Sequence, residues 1–572
     1  MCRRDLIFFS IVKSINKIRY VAILCLSFFL CAGSAWCNDE VTVGPVDIAL
    51  EPILSRDWIS YIQNGDLYVK NIEAAPIKIR GGKDASATIQ SPDLTVTDNS
   101  VFMAWIERRP DGNRAMFFVS REKGKTPGEF IELTAKTKAT RVMLLVSAKG
   151  RVFVLEVYSG KEPEVFINIS LDDAHTFKRI ALETKGIETL YHPSALVIKD
   201  LLYIFFLGVK GDRKFICMNS YEVPEMNMKD SSMLQETDST SFIESFSLKD
   251  APVVVFKTMR DGKFVLRGVK KRESTWEPFS LKGAEGLDVA RMDYHVWDDG
   301  RVLVVFSGEE RGRFKQRIYA AVSDDGAVHW DLKRIDHKEF DNTRSWLPRM
   351  AVDGDRIAIV WEDARDIRSG IRLKLSPDRG NTWMERDIPV SNGAFYAFRP
   401  RISFANNVFY IAWQRFRNDE RRVTDLAALK LRWSEAEKMT TEQEKGLSLT
   451  EKEALLKERV NAYWKGMLDK DLRATYELHD PFYRARIPFD SYASQRGLMV
   501  YHAYALENVT IEGNVAEVRI KVTYDVPKLQ MLGKETSIAS KEVVAEDTYL
   551  FLDGTWYRRF VDAMSGGSSI DY

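Results

Sequence analysis

Seven large residues recur along the chain, and the residues twelve positions before them align from repeat to repeat. The aligned residues are Asp93, Leu144, Ser194, Glu244, Tyr294, Arg349 and Arg401. Guanidinium groups bind carboxylates through paired hydrogen bonds, whereas phenols and carboxyl groups can act as nucleophiles, bases or acids. If the aligned position faces a common axis, these side chains meet in one channel.

The spacing of the seven large residues, here called anchors, predicts the architecture. Each anchor closes a run of β-branched and aromatic residues that follows a tight turn, and successive anchors are 50 to 55 residues apart. The anchors are Trp105, Glu156, Phe206, Phe256, Phe306, Trp361 and Trp413. A period of about fifty with several short strands per unit is typical of propeller blades. We therefore predict a mainly β fold with a seven-bladed β-propeller, six blades being the alternative if one repeat is irregular.

A turn motif near the end of several third strands supports this architecture. It spans Ser376 to Trp383, with looser copies that begin at Ser170 and Ser323 and a remnant at Ser120. The aspartate of such a turn accepts backbone N–H bonds, and a glycine takes a conformation that other residues resist. The motif resembles the Asp-box of the bacterial neuraminidase (BNR) repeats in sialidase-like propellers. In those families the box is a fold element, so the resemblance implies a propeller and not an enzyme.

The resemblance to sialidases also implies roles for three aligned residues. Sialidases use a tyrosine nucleophile, an exception among glycosidases. Tyr294 would then attack, Glu244 would take its proton and Asp93 would be the general acid.

A sialidase also holds the carboxylate of sialic acid with three arginines. Arg349 and Arg401 would be two of them, and the third would be Arg399, Arg291 or Arg141. None of these three stands at an aligned position, and the first blade lacks the Arg-Ile-Pro motif of the family. The aligned residues can alternatively serve only to solvate a water-filled channel and pair with one another.

Three functions remain after this comparison. We expect a propeller that binds a glycan, peptide or partner protein through its axial funnel without catalysis. The alternatives are an exo-glycosidase of sialidase type and an envelope assembly or docking factor. The seven histidines show no close pair at metal-ligand spacing, and there is no Gly-rich phosphate loop or Gly-x-Ser-x-Gly elbow. We therefore expect neither metal nor cofactor.

The first residues predict export from the cytoplasm. Five basic residues precede the apolar run 21–32, and small residues follow at 33–35, as in a signal peptide spanning 1–37. The run is too short to favour a spanning helix, so membrane contact would need an uncleaved signal. The mature chain would hold 78 basic and 81 acidic residues, which argues against nucleic acid as a partner. We expect a periplasmic or secreted protein.

The remaining chain divides into a propeller at 50–433, a linker at 434–447, a second domain at 448–564 and a tail at 565–572. A hairpin, Trp58–Gln63 and Asp66–Lys70 around Asn64-Gly65, is predicted to close the ring by pairing with the last blade. The second domain begins with a capping box at Thr450–Glu453 and an amphipathic helix, and it ends in strands. That order resembles the α+β, cone-shaped nuclear transport factor 2-like (NTF2-like) fold, which hosts enzymes, pockets and dimers alike. Dimerisation through this domain is therefore an open alternative.

Overall fold

The computed structural model describes residues 40–47, 51–80, 88–122, 128–147, 150–158, 160–184, 188–238, 240–260, 263–310, 316–337, 344–366, 368–391, 395–416, 424–443, 447–484, 487–494, 499–531, 534–552 and 554–559. The predicted signal peptide 1–37 and tail 565–572 lie outside these residues. The cysteine within them, Cys217, is buried and free. Among the described helices, none is both long enough and apolar enough to span a bilayer.

Residues 41–431 form eight antiparallel sheets, seven of four strands and one of five. Each sheet is one blade. The innermost strand of each blade contacts that of the next, and the last contacts the first, so the ring is closed. The eight inner strands enclose a space that we call the central channel. The chain therefore contains a β-propeller.

The strands of the first four blades follow one another along the chain, except that one short strand of blade 4 lies between two strands of blade 3. Blade 1 contains β2 (Ile53–Ser55), β3 (Trp58–Gln63), β4 (Asp66–Asn71) and β5 (Ile77–Arg80). Blade 2 contains β6 (Thr88–Val96), β7 (Ser100–Arg108), β8 (Asn113–Arg121) and β9 (Glu129–Thr137). Blade 3 contains β10 (Arg141–Val146), β11 (Val152–Tyr158), β13 (Glu164–Ser170) and β14 (Lys178–Leu182). Blade 4 contains β12 (Gly160–Lys161), β15 (Thr189–Ile198), β16 (Leu201–Lys210), β17 (Arg213–Glu222) and β18 (Asn227–Glu236).

The last four blades have the same order of strands. Blade 5 contains β19 (Thr240–Leu248), β20 (Ala251–Arg260), β21 (Lys263–Arg272) and β22 (Thr275–Ser280). Blade 6 contains β23 (Leu287–Val296), β24 (Val302–Glu310), β25 (Gln316–Ser323) and β26 (Asp331–Arg334). Blade 7 contains β27 (Ser345–Asp353), β28 (Arg356–Asp366), β29 (Arg368–Ser376) and β30 (Ile388–Pro389). Blade 8 contains β31 (Ala397–Ala405), β32 (Val408–Phe416), β33 (Thr424–Leu431) and, outermost, β1 (Val41–Val46).

The blade number and the closure of the ring correct the sequence prediction. The structure has eight blades where seven, or alternatively six, were predicted, because the hairpin β3–β4 forms a blade of its own with β2 and β5. Strand β1 closes the ring instead, by pairing with β33. The propeller consequently begins at Val41 and not at residue 50. Blade 1 lacks the repeat signal because its second strand ends in Ile62-Gln63, with no large aromatic residue at the anchor position.

The seven anchors lie in the second strands of blades 2 to 8, and all are buried. Second strands such as β28 are buried almost throughout, because adjacent blades cover both of their faces. Glu156 is an anchor that carries a charge. Its carboxylate accepts hydrogen bonds from Thr134, Thr137 and Asn168, which satisfy it inside blade 3.

The turns that the sequence motif marks share one hydrogen-bond pattern. In the turn after β29, the Asp378 carboxylate accepts bonds from the backbone N–H and the hydroxyl of Thr382, and Ser376 Oγ accepts the N–H of Gly380. The turns after β13 and β25 repeat this pattern around Asp172 and Asp325. These turns tie the third strand of a blade to its fourth strand.

The C-terminal part is an α+β unit. It contains α1 (Trp433–Gln443), α2 (Leu449–Asp469), α3 (Leu472–Glu477), α4 (Pro481–Arg484), α5 (Phe489–Ser494), β34 (Val500–Glu512), β35 (Val515–Met531), β36 (Lys534–Leu552) and β37 (Thr555–Arg558). One face of the four-stranded sheet packs on α2 through an apolar core that includes Trp464 and Trp556.

Two predictions about this part need correction. The predicted linker 434–447 contains helix α1, whose Trp433 and Ala436 pack on the apolar core of the last two blades. The capping box of α2 is formed by Ser448 and Glu451, two residues before the predicted position. Both corrections have one cause, since a side chain that caps or packs defines a helix more closely than local polarity does.

Candidate functional site

Six of the inner strands carry a β-bulge: β6, β15, β19, β23, β27 and β31. In four of them a residue with positive φ precedes a proline at the bulge, namely Ser91, His192, Leu347 and Arg399. Proline cannot donate to the ladder, and a bulge re-aims the side chain that follows it. In these strands the side chains that follow are Asp93, Ser194, Arg349 and Arg401. The sequence alignment thus located residues that the backbone places alike.

The aligned positions are equivalent in five blades and differ by one residue in blades 3 and 6. In the five, the aligned residue pairs with the residue just before the anchor. In blade 6, Asp293 and not Tyr294 has that place, opposite Val305. In blade 3 it is Met143 and not Leu144. Five residues lie between the last pair of β23 and β24, and likewise of β10 and β11, whereas the other turns have two or four. An odd number of turn residues shifts the residue that pairs opposite a given position of the second strand by one.

Four arginines gather around the carboxylate of Glu51, just before β2. Arg401 donates a hydrogen bond to Glu51 Oε2, and Arg399 Nε lies 3.8 Å from Oε1. Arg349 and Arg291 act on the same carboxylate through space. Burial opposes ionisation of Glu51, but Arg401, Arg349 and Arg291 outweigh it and hold its pKa below the ordinary value. We call these four arginines the arginine cluster.

Positive charge is crowded within the cluster. Burial and the neighbouring Arg349 together lower the pKa of Arg401 to about 10, although Glu51 and Asp293 oppose that change. The Arg401 guanidinium is also held by backbone, since Nε donates to the carbonyl of Pro52 at 3.2 Å and Nη1 to that of Pro400 at 3.0 Å. Arg349 Nη1 donates to the Met292 carbonyl at 3.4 Å. The predicted clamp residues Arg349, Arg401 and Arg399 therefore lie together.

Buried Glu362 holds the bulge of the last blade in place. Its carboxylate accepts the backbone N–H of Arg399 at 3.1 Å and the hydroxyl of Ser369 at 3.0 Å. Burial raises the pKa of Glu362 to about 7, against the lowering effect of these bonds and of Arg344 and Arg399. The Arg399 guanidinium donates to Gln414 Oε1 at 3.2 Å.

No hydrogen bond joins the three predicted catalytic residues to one another within the described ranges. Tyr294 donates its hydroxyl to the Ser245 carbonyl at 3.0 Å, and no hydrogen bond joins it to Glu244 in the described part of the chain. Burial, with the charges of Glu244 and Asp293, raises the pKa of Tyr294 far above its ordinary value. A phenol held in this way is a weaker nucleophile than a free one.

Asp93 and Asp293 each join two neighbouring inner strands. Asp93 accepts the N–H of Leu144 in the next blade at 2.9 Å, and Asp293 accepts that of Met350 at 2.9 Å. Burial raises the pKa of Asp93 in spite of its backbone bonds and Arg141. The hydrogen bond from the Leu144 N–H therefore gives Asp93 a structural role between blades 2 and 3.

Glu244 and Arg141 lie on the inner strands β19 and β10. Both are exposed to solvent. Partial desolvation by the surrounding protein and the nearby Asp293 nevertheless raise the pKa of Glu244, while Arg141 and Arg349 lower it. Arg141 also acts on Asp93 and His192, whereas the charges that act on Glu51 are those of Arg401, Arg349 and Arg291.

A cavity of about 450 Å³ lies along four consecutive inner strands, in blades 3 to 6. Its lining includes Leu145, Leu196, Phe246, Tyr294 and His295. No group of three or more histidine, cysteine, aspartate or glutamate side chains could hold a metal ion within the described residues.

Sequence reasoning missed Glu51 and Asp293. Glu51 precedes the shortest inner strand, in the blade without an anchor, so counting twelve residues back from an anchor cannot identify it. Asp293 is adjacent to an aligned residue and has the same strand-joining bonds as Asp93, and comparing turn lengths between repeats would have found it.

No family model and no curated protein matches the chain. Solved structures that match include polysaccharide lyases, sialidases and a β-propeller domain. An ulvan lyase is 12% identical with a TM-score of 0.41, over 59% of this chain and 93% of that one. The intramolecular trans-sialidase from Ruminococcus gnavus is 11% identical with a TM-score of 0.34, over 62% and 96%. The propeller domain of the Trilobed protease from Pyrococcus furiosus is 11% identical with a TM-score of 0.35, over 60% and 95%. At these values the likeness does not indicate a ligand or an activity.

Proposed function

We propose that the central channel binds a carboxylate-bearing glycan through the arginine cluster and does not catalyse its conversion. The observation that supports this is the Glu51 carboxylate among four arginines. Planar guanidinium groups bind carboxylates with paired hydrogen bonds. The contact with Glu51 indicates that these guanidinium groups can hold a carboxylate at this place, and their four charges exceed those of the two acids that act on Arg401, Glu51 and Asp293.

An exposed aromatic ring on an inner strand suits a sugar. The inner strands present Tyr191, which is 39% exposed, beside the bulge of β15, and aromatic rings can pack against sugar faces.

The test is binding of N-acetylneuraminic acid and glucuronic acid by titration calorimetry. We expect Arg349→Ala to weaken binding at least tenfold, because it removes one guanidinium without breaking the Arg401 bonds to backbone. Arg213→Ala is the matched control, since Arg213 forms an exposed ion pair with Glu236 in blade 4. Equal, measurable affinity in wild type and Arg349→Ala would contradict the proposal, and so would the absence of binding both by wild type and by variants of Glu51.

A sialidase of the Tyr–Glu type is the second candidate, supported by the proximity of Arg349, Glu244 and Tyr294. It requires release of a fluorophore from a sialoside substrate and its loss in Tyr294→Phe. We expect no release from wild type, because the phenol is bonded to a carbonyl and has no base bonded to it.

The proposal extends to the location and the second domain. The predicted signal peptide supports a periplasmic or secreted site of action, where acidic glycans are accessible. The order of one long helix, short helices and a curled antiparallel sheet supports an NTF2-like domain at 448–564. An envelope docking role remains a further candidate, and binding of a protein instead of the two sugar acids would favour it.

A further inference from the structure

We propose that Glu51 is a built-in competitor of the ligand: its carboxylate occupies the place of the ligand carboxylate in the arginine cluster and leaves when the ligand binds. This inference rests on the proposed function. It assigns a specific role in ligand affinity to a residue of blade 1, whereas the arginines come from blades 6, 7 and 8.

The bonding of Glu51 is that of an exchangeable group. Its side chain is 36% exposed and, among the residues that the structure describes, has one hydrogen bond, from Arg401; Arg399 Nε at 3.8 Å is beyond hydrogen-bond distance. Asp363 is an acid of the same propeller whose carboxylate is fixed in place. Its carboxylate is 1% exposed and accepts bonds from Ser345, Trp361 and Arg365.

Three of the four arginines have hydrogen-bond partners other than Glu51. Two of the Arg401 hydrogen bonds go to backbone carbonyls, of Pro52 and Pro400, and the Arg349 bond goes to the carbonyl of Met292. The backbone N–H of Arg399 is fixed by Glu362. A site whose donors are preorganised in this way does not collapse when its carboxylate departs.

Exchange of one carboxylate for another keeps the charge of the site constant. The ligand therefore need not desolvate bare guanidinium groups, but its affinity is reduced by the free energy of the contact that Glu51 gives up. Removal of the Glu51 charge should remove that competition. A residue that is part of the ligand contact would behave in the opposite way.

The experiment compares Glu51→Gln and Glu51→Ala with wild type in calorimetric titration of N-acetylneuraminic acid and glucuronic acid. We expect the Kd to fall at least tenfold in both variants. Glu73→Gln is the control, since Glu73 is an exposed acid of the same blade that pairs with Lys430, and it should leave the Kd unchanged. Thermal melting of each variant verifies that the propeller is folded.

Each outcome decides between the two proposals. Equal or weaker binding by the Glu51 variants, with binding by wild type, overturns the inference and leaves the proposed function standing. Binding by the variants but not by wild type supports both. No binding by wild type or by either variant overturns both, because a competitor needs a site to compete for.

Discussion

Arg401 donates a hydrogen bond to Glu51 across 350 positions of sequence. The contact joins the inner strand of blade 8 to the segment that leads into blade 1. The same blade is joined to the start of the propeller at its outer edge, where β1 pairs with β33. Blade 8 is thus fastened to the first residues of the propeller on both sides, and the inner fastening is also the candidate site.

We expect Val46→Ala to lower the free energy of unfolding by about 2 kcal/mol, because a buried side chain of the closing strand loses two methyl groups. The measurement is urea unfolding followed by tryptophan fluorescence. Val41 in the same strand is 47% exposed, so Val41→Ala should have almost no effect. Equal effects of the two changes would show that β1 does not hold the ring.

Removal of Arg365 should be among the most destabilising changes in the propeller. Its guanidinium bonds to both Asp363 and Asp387, and all three side chains are buried. Arg365→Leu removes the guanidinium that is hydrogen-bonded to both buried carboxylates, at a cost of about 3 to 5 kcal/mol.

The control for that change is an exposed pair. Lys457 and Glu453 lie one turn apart on α2, and Lys457→Ala should cost less than about 0.5 kcal/mol. Comparable losses in the two variants, measured by urea unfolding, would contradict a structural role for the buried cluster.

Glu362 makes stability depend on pH. Its pKa is raised by burial to about 7 in the folded chain, so the unfolded chain loses this proton first as pH rises. The stabilisation from the protonated form is present below pH 4.5 and is lost between there and pH 7, by about 3 kcal/mol. Glu362→Gln should remove this slope in unfolding curves measured from pH 4.5 to 8. A wild-type slope that persists in the variant would assign it to other groups.

Tyr294→Phe should cost about 1 kcal/mol of stability, because the Ser245 carbonyl loses its donor. Affinity for glucuronic acid should stay the same, since the arginine cluster is untouched. Calorimetry and urea unfolding measure the two effects. A large loss of affinity with unchanged stability would place Tyr294 in the ligand contact.

Much of the propeller could be predicted from the sequence because its signals are local. An anchor, a turn and a bulge with proline are each set within about a dozen residues, and they recur. Blade 1 was not predicted because its strands are short and its second strand ends in Ile62-Gln63, with no large aromatic residue. The pairing of the closing strand β1 was not predicted because its partner β33 lies at the far end of the propeller, and a local sequence pattern does not indicate so distant a partner.

The candidate site was predictable in its arginines but not in its arrangement. Arg349 and Arg401 follow from the repeat offset, whereas Tyr294 was misplaced by one residue because its turn is odd-numbered. Glu51 depends on ring closure, which brings 51 and 401 together only when eight blades are present. A prediction of seven blades could not have placed Glu51 beside Arg401.

The pairing of β1 with β33 also bears on how the chain reaches this state. Strand β1 is synthesised before the rest of the propeller, whereas its partner β33 is complete only after residue 431 has been added. Until then β1 has nothing to pair with, and blade 8 does not yet exist. Seven blades can assemble in order during translation, whereas ring closure has to wait for the end, as the last step of propeller biogenesis.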